Sequence, residues 1–167
     1  MDARKKLRFL FDTDDGSLPD IRSAGLSPDG VASVFDLIRS RAALNPDAAF
    51  WHRTLDREEP LDARRNPAGM VVSGEAEPFH VLASGITAGA AVLPDLGVFV
   101  FPDEVVLGYR MGPEWGEPEL GVLCELLRGL TAVAPEARIK LDEHVLPEVE
   151  RLFLDVRAAY CQTATPS

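Results

Sequence analysis

Apolar and polar positions alternate over residues 4–11, where Leu7, Phe9 and Phe11 are each one residue apart, and this period of two predicts a first strand. Asp12-Thr13-Asp14-Asp15-Gly16 breaks it, because Asp and Gly are the residues that turns require. Residues 18–24 read either as a short returning strand or as loop. Beyond them the period becomes helical, with Val31, Val34, Phe35, Ile38 and Ala42 on one stripe. Ser27 can cap this helix, Pro28 suits its first position and Asp29 meets the positive end of its dipole. Asn45-Pro46 stops it, so the helix is predicted over 28–44.

Residues 48–55 read as a strand. A long exposed connection follows over 60–78, broken by Pro60, Pro67, Gly69, Gly74 and Pro78, with Met70-Val71-Val72 as a brief strand inside it. Residues 79–84 form a further strand, and the small residues of 85–96 stay ambiguous. The clearest hairpin runs over 97–101 and 104–110, joined at Pro102-Asp103. Glu117-Pro118-Glu119 opens a second helix with Leu120, Leu123, Cys124, Leu127 and Leu130 on one face; Val122, Leu126 and Val133 widen it, and Pro135 ends it. A strand at 138–141 and a last helix at about 146–160 complete the series. The fold class expected is therefore α+β: a mainly antiparallel sheet built from hairpins, with about three helices packed on one face. One domain is expected over 1–161, with a disordered tail at 162–167.

Charge changes the picture of what such a domain can bind. The chain carries a formal net charge of −10 with a pI near 4.7. That surface repels phosphate backbones and anionic membranes, so neither nucleic acid nor membrane is an expected partner. Much of the imbalance lies late: residues 95–150 hold 12 acidic and 4 basic residues. Two cysteines, Cys124 and Cys161, suggest neither a disulfide framework nor a zinc site, and fit a reducing cytoplasm. The N-terminal apolar run is broken by Arg8, so no secretory segment is read there. A cytoplasmic, bacterial-type protein is the expectation.

Candidate chemistry is sparse. The run Phe9-Leu10-Phe11-Asp12-Thr13-Asp14-Asp15-Gly16-Ser17-Leu18 resembles the first motif of the haloacid dehalogenase phosphohydrolases, an apolar strand ending in Asp-x-Asp. The resemblance implies Asp12 as nucleophile, Asp14 as general acid/base and Mg²⁺ held beside them, with Asp15 as a third carboxylate. It spans ten residues and departs from the family pattern, since Asp15 separates Asp14 from Gly16. The Ser/Thr, Lys and second acidic motifs of that family have no counterpart here. No nucleophile elbow or Walker-type loop is present, and His52, His80 and His144 lack metal-ligand spacing. An enzyme is therefore not the expected class, and no cofactor is implied.

The other feature is Gly112-Pro113-Glu114-Trp115-Gly116, an aromatic residue in a Gly/Pro-framed loop beside Glu117 and Glu119. Trp is favoured at interface hot spots, and acidic neighbours orient a basic partner. With Asp103 and Glu104 at the preceding hairpin, these residues form the expected partner-binding set: Asp103, Glu104, Glu114, Trp115, Glu117 and Glu119. By size, charge and class the chain is similar to immunity proteins that neutralise a basic toxin domain, which makes a non-enzymatic binding or inhibitor module the leading expectation. A Mg²⁺-dependent phosphohydrolase and a structural or accessory domain are the alternatives.

Overall fold

Hairpin chemistry and one-sided burial build the sheet. The computed structural model describes residue 5 and residues 7–163. In chain order these fold as β1 (Asp20–Ala24), α1 (Pro28–Arg41), β2 (Ala43–Leu44), β3 (Ala49–His52), β4 (Arg57–Pro60), α2 (Pro67–Ser73), β5 (Phe79–Ser84), β6 (Thr87–Ala88), β7 (Ala91–Val92), β8 (Leu96–Val100), β9 (Val105–Tyr109), α3 (Glu117–Val133), β10 (Arg138–Leu141) and α4 (Pro147–Thr163). Six strands form one sheet in the order β10-β1-β9-β8-β5-β2, and every pairing in it is antiparallel. β3–β4 and β6–β7 are separate two-stranded ribbons. The chain is thus α+β with a mainly antiparallel sheet, and the described residues hold four helices.

Alternation decides which face is covered. Ile21, Val81, Val98, Leu107 and Ile139 all point into one core, where they meet Val34 and Phe35 of α1, Leu123 and Leu127 of α3, and Phe153 of α4. The opposite face carries Arg22, His80, Leu82, Phe99 and Lys140, none of them buried. There Gly97 and Gly108 stand directly opposite each other. A Cβ on either would come within 3.4 or 3.3 Å of the Phe99 ring, so the bare backbone lets that ring lie across both. His80 stacks on Phe99, with ring centroids 4.2 Å apart, and its Nε2 would lie 2.9 Å from a Cβ on Gly97.

Several sequence expectations change. Among the described residues no strand is formed ahead of the Asp12 turn; Arg8–Leu10 is a short 3-10 turn, while residues 4 and 6 of the expected strand lie outside the described residues. Leu7 and Phe11 are buried four residues apart and Phe9 is 52% exposed, so a helical offset rather than strict alternation sets their directions. The segment left open at 18–24 is β1, a central strand. Met70–Val72 belongs to α2, which Asn66 caps by accepting from the Gly69 N–H at 3.0 Å and which Gly74 ends in the left-handed region. α1 stops at Arg41 because Ala43 and Leu44 pair with β5. β3 ends at His52 instead of 55. α4 continues to Thr163, so the expected tail begins inside a helix, and residues 164–167 lie outside the described residues.

Candidate functional site

Antiparallel pairing brings the starts of β1 and β8 and the ends of β9 and β10 to one end of the sheet. The loops leaving β9 and β10 then run into the first turns of α3 and α4, and the 12–19 segment leads into β1. Acidic residues from separate parts of the chain therefore meet there: Asp14, Asp15 and Asp20 before and on β1, Asp95 before β8, Glu114 and Glu117 after β9, and Asp142 and Glu143 after β10.

A cleft of about 530 Å³ opens at this end. One wall is Phe9, Leu10, Thr13, Asp15, Ser17, Leu18 and Pro19; the other is Leu141, Asp142, His144 and Val145; Asp20, Tyr109 and Met111 complete it. The first wall is tied down from below. Tyr109 donates its hydroxyl to the Leu10 carbonyl at 3.0 Å, and the Gly112 N–H donates to the Phe11 carbonyl at 2.8 Å. Phe11 stacks on Tyr109 at 4.9 Å and packs on Trp115 and Phe153. Leu18 is 69% exposed beside the opening. The result is an apolar concavity with a few carboxylates, the usual composition of a binding site.

The carboxylates of the cleft are not equivalent. Hydrogen bonds from Ser17, side chain first and then backbone, hold Asp15 below the ordinary carboxylate range. Burial pushes Asp20 upward, the charges of Asp142 and Glu104 add to this, and Arg22 acts against it. Arg22 itself is engaged by Glu104 through two hydrogen bonds of 3.1 and 2.5 Å, with Glu143 at 3.8 Å. Burial, then Asp142 and Asp20, push the Tyr109 hydroxyl well above its usual range, so it stays a neutral donor.

No protein-family model matches this chain, and neither a curated protein nor a solved structure does. Its own geometry therefore carries the functional argument.

The residues expected from sequence are only partly brought together. Asp12 pairs with Arg8 at 2.9 Å, Asp14 accepts from the Gly16 N–H at 3.2 Å, and Asp15 turns to Ser17. Each carboxylate serves a different local partner, and Asp14 also reaches Arg110 at 3.9 Å. Among the described residues no group of three or more His, Cys, Asp or Glu side chains is placed to hold a metal ion. The Asp-x-Asp pair also lacks the strand that the phosphohydrolase motif requires before it.

Trp115 is not an exposed anchor. It is 1% exposed, donates its indole N–H to the Arg110 carbonyl at 2.8 Å and packs on Phe11 and Tyr109. Its acidic neighbours divide. Glu119 accepts from the Gly116 N–H at 3.0 Å and so caps the start of α3, whereas Glu114 and Glu117 are exposed. Glu114 and Glu119 line a second groove of about 480 Å³ with Asp95, Arg110 and Val92. Asp103 and Glu104 sit at the far end of β9, which at five residues separates them from Glu114 by roughly 17 Å. Glu104 is bound to Arg22, and Asp103 is exposed.

Asp20 and Asp142 are not among the candidates the sequence offers, Leu18 enters there only as the last residue of the Asp-x-Asp run, and Tyr109 only as a neighbour or support of the Trp115 surface. The available signal is Asp142-Glu143-His144 directly after a predicted strand end, but the facing wall comes from residues 9–19, which the pattern reads as the end of a strand, a turn and an open segment. His52 is structural, its Nδ1 accepting from the Leu55 N–H at 3.3 Å to close the β3–β4 turn. Cys124 is buried on α3. Among the described residues no helix is long and apolar enough to cross a membrane.

Proposed function

We propose that this chain is a non-catalytic protein-binding module of the inhibitor class, and that it docks a basic protein on the acidic end of its sheet. The observation that supports this reading is the convergence of acids from four chain segments at the end of the sheet that holds the apolar cleft, with Asp15, Asp20 and Asp142 in its lining. Apolar contact supplies affinity, and a rim of one charge sign supplies steering and orientation. A net charge of −10 extends the same field over the molecule. Inhibition by occlusion needs no catalytic group.

Fluorescence anisotropy with a labelled nona-arginine peptide tests the docking face. Binding at low salt that is lost at high salt is expected, because rim charges act through screened fields. Reversing Asp95, Glu114 and Glu117 together to Lys is expected to weaken binding about tenfold or more. Asp103→Lys, at the other end of β9, is expected to leave it within about twofold. Equal losses from both ends would sink the assignment of the face.

A further inference from the structure

The cleft between residues 9–19 and 141–145 contains a charge imbalance that its own side chains leave standing. Asp15 is committed to Ser17. One oxygen of Asp142 accepts from the His144 backbone N–H at 3.2 Å, which leaves its other oxygen for a ligand. The side chain of Asp20, half-buried, has neither a hydrogen bond nor an ion pair among the described residues. Its carboxylate lies over the bare backbone of Gly108, where a Cβ would approach Oδ1 to 3.3 Å. The cation that acts on it, Arg22, is held by Glu104 and Glu143. Lys140 is paired in register with Arg22 rather than with Asp20. Two half-buried carboxylates at the mouth of an apolar cavity repel each other, and a cation with an apolar stem satisfies both conditions at once.

Resting on the reading that a basic protein docks at this end, we propose that the cleft receives one arginine side chain of that partner. The guanidinium sits between Asp20 and Asp142, and the methylene stem lies against Leu18, Tyr109 and Met111. Arginine suits the site better than lysine because its planar fork can bond two carboxylates at once and is more weakly hydrated, so it enters a half-buried cleft at less cost. The volume of about 530 Å³ accommodates this side chain and the adjoining backbone of the partner.

The test is a ¹⁵N NMR titration of the whole chain with a capped Gly-Ser-Arg-Ser-Gly peptide and with its citrulline counterpart, which keeps the stem and removes the charge. The arginine peptide is expected to shift amides of residues 15–20 and 141–145, with the citrulline peptide at least tenfold weaker. Asp20→Asn is expected to lose the same factor, and Asp103→Asn none of it. The neutral isostere removes a charge that its surroundings disfavour, so it keeps the fold, which circular dichroism checks. Equal shifts from the two peptides overturn the proposal, as does an arginine peptide that shifts Asp95, Glu114 and Glu119 instead, or shifts nothing. If nona-arginine still binds the acidic end in those cases, the docking reading stands and the cleft assignment alone fails. If nona-arginine also fails at low salt, the docking reading falls with it.

Discussion

Glu59 and Asp20 are both strand carboxylates, and their surroundings push them in opposite directions. Glu59 is 5% exposed and lies between Arg64 and Arg57, whose hydrogen bonds lower it from 4.5 to about 2. A depressed acid contributes stability that is present above its unfolded value and is lost as pH falls from about 4.5 toward 2. Glu59→Gln is therefore expected to be less stable at pH 7 and to show a flatter loss of stability across that acid window, read by thermal melts at stepped pH. Asp20 has the reverse sign. Its folded form favours the proton, so stability present below the ordinary carboxylate value is lost as pH rises through the raised one. Asp20→Asn is expected to melt at a higher temperature than the parent at pH 7 and at the same temperature near pH 3. A site that is more stable without its charge fits one kept for binding. Trp115→Phe keeps the ring packing but loses the indole donor to Arg110, and is expected to cost about 1–3 kcal/mol in a denaturant titration. The acids around Trp115 were legible in the sequence. The inward direction of its ring was not, because it depends on Phe11 and Tyr109, and Phe11 is distant in the chain.

At the level of elements, the features legible in the sequence are those whose signals are local. Ser27 caps α1, accepting from the Gly30 N–H at 3.1 Å, and its hydroxyl also donates to Glu136 at 2.8 Å. Ser27→Ala is expected to lower stability by about 1 kcal/mol, measured by chemical denaturation. β5 and β10 fall on the residues that alternation predicts, since each has one face on the core and one in solvent. Three segments fail for identifiable reasons. β1 has a polar open face, Asp20 and Arg22, and its strand state comes from ladders on both sides rather than from its own pattern. The 8–10 turn follows packing of Leu7 and Phe11 that alternation misread. In α2, Val71 and Val72 favour strand intrinsically, and the Asn66 cap and Gly74 stop override them. The cleft is illegible for the same reason as β1: its two walls, residues 9–19 and 141–145, are far apart in the chain and meet only through strand order.

Across the whole molecule, charge is distributed by topology. The late part of the chain holds an excess of acids, and the sheet gathers some of them, Asp95, Glu114, Glu117, Asp142 and Glu143, at one end by aligning strand termini, while Asp103 and Glu104 stay at the other. The ion pairs that remain are mostly exposed, such as Arg128 with Glu125 and Arg53 with Glu77, and are worth little to stability. Raising salt is therefore expected to leave the thermal midpoint nearly unchanged while it abolishes nona-arginine binding, a separation that differential scanning calorimetry and anisotropy read side by side.

The position of β1 between β9 and β10 has a consequence for how the chain reaches this shape. Residues 20–24 pair with residues 105–108 on one side and 138–141 on the other. On a ribosome, the early strand must wait for most of the polypeptide before its neighbours exist, while the β8–β9 hairpin can close as soon as it emerges. Such distant pairings slow two-state folding toward milliseconds to seconds. Stopped-flow refolding is expected to show the rate respond to substitutions at Val98 and Leu107, and unfolding to accelerate on substitution of Ile21, the pattern of a strand that docks after the transition state.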